Sequence, residues 1–150
     1  MRVVIQRVTQ ASVEIDTLVT ASIDQGMLVL IGIEESDNQE DIDWLCGKIL
    51  RLRIFPDVDE VMNLSIIDIG GELLVVSQFT LHASTKKGNR PSYIKAARPE
   101  TAIPLYDKFV ETLRNQSGLT IKTGSFGAMM KISLINNGPV TIIIDSKNRE

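Results

Sequence analysis

One cysteine and one histidine are all that the 150 residues offer to thiol or imidazole chemistry. Cys46 alone forms no internal disulfide, and with His82 it cannot supply the multi-ligand Cys/His patterns that hold zinc. No D-x-D-x-D type loop takes their place, so neither a metal nor a cofactor is expected. No apolar run approaches the roughly 18 residues that cross a bilayer. The opening MRVVIQRVTQASVEI alternates where a signal peptide would carry an unbroken apolar block, which points to a cytoplasmic protein without a membrane partner. Nucleophilic catalysis also has little to work with. His82 has no carboxylate nearby in sequence to orient it, and Cys46 falls on the apolar stripe of a helix, where a thiol tends to be inert. A triad could still assemble in space, but nothing local supports one.

What is present fits one ordinary domain spanning 1–150, with 43% hydrophobic and 23% charged residues and no repeat, linker or low-complexity segment. The net charge of −3 argues against a general nucleic-acid binder, yet its distribution is uneven. Residues 82 to 98, HASTKKGNRPSYIKAAR, hold Lys86, Lys87, Arg90, Lys95 and Arg98 and no acidic residue at all. A basic, mostly irregular loop of this length inside a compact domain is uncommon and is often functional.

Stretches rich in Val, Ile and Thr predict strands at 2–9 and 12–16, at 19–24 and at 26–33. Asp37, with Glu40 three residues on, predicts a helix start, and Ile42, Leu45, Cys46, Ile49 and Leu50 form its apolar stripe. Trp44 lies on the other side, where it either packs under a neighbouring loop or meets another subunit. Residues 53 to 71 read as irregular and then extended, ending in a Gly-Gly turn before the strand ELLVVSQFTL. Pro99 suits the first turn of a second helix striped by Ala102, Ile103, Tyr106, Phe109, Val110 and Leu113 and closed by QSG at 116–118. Pro104 predicts a kink in that helix or a later start. Strands near 119–123, 129–136 and 140–145 and a frayed tail, SKNRE, complete the chain. Many strands with two main helices, not in strict alternation, predict an α+β fold with antiparallel or mixed sheets.

Two stretches stand out chemically. In ELLVVSQFTL both faces begin apolar and end polar, at Ser77, Gln78 and Thr80; such groups either satisfy neighbouring backbone or line a site. In INNGPVTI, Asn137 and Gly138 read as the centre of a hairpin turn, but Pro139 lacks the N–H that would close it. Farther upstream, TGSFGAMMK places Gly124 and Gly127 around Phe126, as in a turn approached closely by backbone or ligand. Met129 and Met130 beside it read as core or as an adaptable contact surface.

SQFTL at 77–81 together with NNGPVT at 136–141 resembles the two signature motifs of the D-aminoacyl-tRNA deacylases. The likeness extends through IQRVTQASV, RIF, MNLS, KKGNRPSY, LYDKFV and GSFGAMM, covering nearly the whole chain. It implies a homodimer that hydrolyses the ester between a D-amino acid, or glycine, and the terminal adenosine of tRNA. By this resemblance Ser77, Gln78, Phe79 and Thr80 form the pocket floor. Gly138 and Pro139 of the other subunit, joined by a cis bond, exclude L-amino acids. Arg7 orients the Gly-Pro loop, Phe126 and Met130 lie near the adenosine, and Lys86, Lys87 and Arg90 suit backbone phosphates. The family uses the 2′-hydroxyl of the tRNA itself; an older proposal gives Thr80 the role of nucleophile. Asn137 stands where many relatives have Asp, and His82 where many have a small residue. A non-catalytic tRNA-binding module and a small-molecule hydrolase are the competing readings.

Overall fold

The computed structural model describes residues 1–149; Glu150, the end of the tail, lies outside them. The long β1 (Arg2–Ile15) joins both of the early predicted strands into one element. It pairs antiparallel with β2 (Leu18–Ile23) and with β3 (Gly26–Gly32). Helix α1 (Gln39–Arg51) follows, then a small antiparallel pair, β4 (Phe55–Pro56) and β5 (Met62–Leu64). β6 (Glu72–Ser77) runs parallel to β3, a 3₁₀ turn (Phe79–His82) leads into the basic loop, and helix α2 (Pro99–Ser117) packs on α1. β7 (Ile121–Thr123) extends the sheet parallel to β6, and β8 (Lys131–Asp145) returns along the far side of β1. The result is a mixed six-stranded sheet in a single α+β domain.

Period-two side-chain alternation places a core on each face of this sheet. Val3, Ile5, Val29, Leu73 and Val75 meet the stripes of the two helices, including Leu45, Ile49, Phe109 and Leu113. Val8, Val13, Ile23, Leu28, Leu74 and Val76 form a second cluster under the curled end of β1. β6 thus buries both faces, as its two apolar rows predict. Gly32 lets the 3₁₀ turn settle onto β3, since a Cβ there would sit 2.9 Å from His82 Cδ2 and 3.1 Å from the Gln78 carbonyl oxygen.

Four local expectations are corrected. The N-cap of α1 is Asn38, whose side chain accepts from Glu40 N–H at 2.9 Å while Asp41 reaches back to the Asn38 N–H at 3.0 Å. Asp37 is drawn away from capping by the Met1 ammonium, 2.5 Å from its Oδ1 in a fully buried pair. The strand expected through Leu81 stops at Ser77, where the chain coils into the 3₁₀ turn and ends the alternation of faces. α2 runs unbroken past Pro104; with the helix already nucleated from Pro99, the missing N–H deprives only the Glu100 carbonyl of a partner. The tail is tied down: Lys147 Nζ lies 2.7 Å from Asp41 Oδ2, Ser146 is buried, and the Arg149 guanidinium sits 4.6 Å over Trp44.

Candidate active site

A cavity of about 330 Å³ opens where β6 ends, within the usual size range of small-molecule sites. Ser77, Gln78 and Phe79 form one wall, Phe126 and Met130 another, with Ile33, Ala97 and Ala102 between them. These residues converge because the parallel β3–β6 pair delivers Ser77 opposite Ile31, and the first turn of α2 brings Ala102 across. Gln78 is anchored by its backbone, whose N–H donates to the Ile31 carbonyl at 2.7 Å, and its side-chain Nε2 donates to Thr80 Oγ1 at 2.5 Å. Phe79 is exposed and stacks edge-on against Tyr93 of the basic loop, centroids 5.1 Å apart. Phe126 stacks edge-on against Tyr106, whose buried hydroxyl, with its pKa raised by that burial, donates to the Val75 carbonyl at 2.9 Å. The two methionines divide: Met130 packs on the second core, whereas Met129 is 91% exposed at the cavity rim.

None of the cavity-lining residues is titratable. His82, the last residue of the 3₁₀ turn, is buried, its Nδ1 3.1 Å from Glu34 Oε1 but out of line for a hydrogen bond, and its Nε2 without a partner among the described residues. Cys46 is fully buried, and its Sγ points to the Phe109 carbonyl. No cluster of His, Cys, Asp or Glu among the described residues could hold a metal ion. The cavity itself can position an ester and offer it hydroxyl, amide and backbone donors, but it brings no side-chain acid or base.

The remaining candidates lie elsewhere on the chain. Thr80 sits on the 3₁₀ turn and does not line the cavity. Lys86, Lys87 and Arg90 are exposed at the tip of the basic loop, whose base is closed by backbone pairing of Ser84 with Ser92. Gly138 and Pro139 are exposed and do not line the cavity either.

The Gly-Pro segment does not close a hairpin. The apolar runs on either side of it continue as one strand, β8, and both halves pair with β1: Gln6 faces Thr141 and Val8 faces Asn136. Residues 137 to 140 are therefore accommodated opposite Arg7 alone, as a bulge. The Gly138–Pro139 peptide bond is cis. Arg7, 8% exposed, donates from Nε to the Asn137 carbonyl at 2.8 Å and from its guanidinium to the Ile54 carbonyl. Gly138 takes φ +146, and a Cβ there would lie 2.9 Å from Val140 N and 3.0 Å from Arg7 Nη2, so only glycine fits. The residue that sequence reasoning left without a role is Asn136, whose carboxamide bonds across this bulge. Its place in NNGPVT gives no signal of that, because the partner, Val140, is set by the bulge.

The fold and cavity define a single-domain α+β protein with an open cavity at the end of a parallel strand pair. The family model for D-Tyr-tRNA(Tyr) deacylase matches residues 4–145, and the chain belongs to that family. A protein of Flavobacterium psychrophilum named D-aminoacyl-tRNA deacylase is 67% identical over 150 residues, all of both chains. One of the same name from Bacteroides thetaiotaomicron is 63% identical over the same span. Among solved structures, the c-Myc DNA Unwinding Element Binding Protein superposes with a TM-score of 0.92 at 40% identity, covering 97% of this chain and 98% of its own. A probable eukaryotic D-amino acid tRNA deacylase shares the fold with a TM-score of 0.82 at 18% identity, covering 95% and 97%.

Proposed function

We propose that this chain is a cytoplasmic D-aminoacyl-tRNA deacylase, which hydrolyses the ester linking a D-amino acid, or glycine, to the 3′-terminal adenosine of tRNA. Membership of the deacylase family supports the reaction, and the observation that carries its mechanism is the absence of any titratable side chain from the cavity wall. An ester needs less activation than an amide, so positioning and oxyanion donors suffice if the substrate supplies the remaining group. The 2′-hydroxyl beside the ester is that group. It assists water attack on the carbonyl carbon, and the 3′-oxygen leaves with a proton. The first N–H groups of a helical turn have no partner inside it, and no side chain caps this turn, so the N–H of Phe79, which lines the cavity, would donate to the oxyanion.

In this reading Ser77, Gln78 and Phe79 are the floor, and Phe126 and Met130 contact the adenosine. Gly138 and Pro139 of a second copy of the chain complete the site, their carbonyls forming a wall that clashes with an L side chain. Repulsion of this kind discriminates more strongly than apolar fit, which yields about 10- to 200-fold per methylene. Lys86, Lys87 and Arg90 would contact backbone phosphates, which gives recognition independent of tRNA sequence.

Side-by-side deacylation of D-Tyr-tRNA, L-Tyr-tRNA and Gly-tRNA tests the reading. The D and glycyl esters should be hydrolysed and the L ester spared; equal rates for D and L would remove the filter. Salt-dependent tRNA binding without release of amino acid would leave a binding module. For the mechanism, Thr80→Ala should keep substantial activity, whereas tRNA ending in 2′-deoxyadenosine and charged on its 3′-hydroxyl should be a poor substrate. The opposite pair of results would restore Thr80 as nucleophile.

A further inference from the structure

The bulge in β8 is closed by a side chain where strand pairing is lost. Asn136 Nδ2 donates to the Val140 carbonyl at 3.1 Å, and Asn136 Oδ1 accepts from the Val140 N–H at 2.9 Å. A carboxamide carries the same donor and acceptor as a peptide group, so Asn136 gives Val140 what a neighbouring strand would have given it. The same Nδ2 lies 3.4 Å from Thr141 Oγ1, which also accepts from Gln6 Nε2 at 3.2 Å. These contacts fix the far end of the bulge to the last regular pair, Gln6 with Thr141. The near end is fixed by Arg7 on the Asn137 carbonyl at 2.8 Å. Between the two anchors Gly138 and Pro139 are exposed in the single chain, so within it their direction is set from the anchors.

We infer that Asn136 is a positioning residue whose carboxamide sets the direction of the Gly138 and Pro139 carbonyls, and with it the preference for D over L substrates. The inference rests on the chiral-filter reading above. The chemistry of the site allows few substitutes. Aspartate would still accept from the Val140 N–H, but it would set an anionic oxygen against the Val140 carbonyl. Alanine would leave both backbone groups without a partner in the chain. Glutamine keeps the amide but moves it by one methylene, which shifts the anchor without removing it.

The test is the ratio of kcat/KM for D-Tyr-tRNA to that for L-Tyr-tRNA, measured on the full chain and on Asn136→Asp and Asn136→Gln. A lost hydrogen bond to a half-buried group should lower that ratio by about tenfold or more in Asn136→Asp. Asn136→Gln should give a smaller fall in the same direction, and it keeps the test available if the aspartate variant folds poorly. A purely structural role would reduce the active fraction and scale both substrates equally, so an unchanged ratio in a discriminating wild type overturns the inference alone. A wild type that hydrolyses both substrates equally overturns the inference and the filter reading together.

Discussion

Cys46 lies 3.6 Å from the Phe109 carbonyl oxygen in the helical core, and burial, helped by Asp43, pushes its thiol pKa up to about 12. At neutral pH it is therefore a protonated apolar filler, and thiolate is the reactive form. A thiol reagent should leave the native chain unmodified and label one site per chain once denaturant unfolds it; rapid native labelling would contradict the packing. Asp41 behaves oppositely. Burial opposes its charge, yet hydrogen bonds from Lys147, Ser146 and the Asn38 N–H together hold its pKa below the ordinary carboxylate value. Its folded pKa is thus lower than its unfolded one, so its contribution is full above the unfolded value of about 3.9 and is lost as pH falls through the folded value. Asp145 shares the pattern: burial is outweighed by the Lys147 N–H and by Arg2. The denaturation midpoint should accordingly stay level between about pH 7 and pH 5 and fall below about pH 4, less steeply in Asp41→Asn. This lock between tail and helix was invisible in SKNRE, where only a run of polar residues could be read, because its partners lie more than 100 residues upstream.

Among the elements, α2 shows how far local rules carry. Its Pro99 start and its apolar stripe, except for Ile103, which turns out 40% exposed, were legible because both depend on helical spacing, but the outcome at Pro104 depended on packing that spacing does not report. Pro104 is exposed, so its ring contributes no burial to offset the lost bond at Glu100. Pro104→Ala should stabilise the chain by about 2 kcal/mol, an interior-proline cost of roughly 3 less the roughly 1 that proline removes from the entropy of the unfolded chain. Denaturant titration checks this; a destabilised variant would mean that the ring sets the path of the helix. The start of α2 has a further support, since Arg98 offers no side-chain cap. Glu35 takes over from the β3–α1 connection: Oε1 accepts from the Arg98 N–H at 2.7 Å and Oε2 from Thr101 Oγ1 at 2.8 Å. The Arg98 N–H and then Thr101 lower its pKa, so this clamp is lost on acidification. With Glu34 paired to Ala96, two consecutive glutamates hold the C-terminal end of the basic loop, and Glu34 lies beside His82 at its start. Glu35→Ala should lower the melting temperature and raise KM for aminoacyl-tRNA more than it lowers kcat. An equal loss in both would assign Glu35 to the chemistry of the cavity.

At the scale of the whole molecule, the sheet separates the two elements that the proposed deacylase site would join. The cavity lies where β6 ends, while the bulge of β8 sits opposite Arg7 on β1, and neither Gly138 nor Pro139 reaches the cavity wall. Pattern alone marked the polar end of β6 as either a site or a set of locally satisfied groups, since polar groups closing a buried strand demand partners. It read correctly that Pro139 keeps the Gly-Pro from closing a hairpin but split β8 into two strands, 129–136 and 140–145, because whether two apolar runs part or run on is decided by their common partner, β1. β8 is also an edge strand, with Ile135 52% and Ile143 68% exposed. A long, partly apolar edge is a surface that proteins usually cover. If a second copy covers it and brings its bulge to the cavity, the site is shared, and two differently damaged chains should repair each other. Co-expression of a cavity variant, Gln78→Ala, with a bulge variant, Pro139→Ala, would form mixed dimers with one site built from undamaged halves. Purified through a different tag on each chain, these mixed dimers would keep one intact site of two, so about half of wild-type activity should return with full D-over-L discrimination. Either variant alone should lack one of the two properties. If each chain carried its own complete site, the mixture would show only the average of its parents, and the activity of the co-expressed pair would never combine with the selectivity of the wild type.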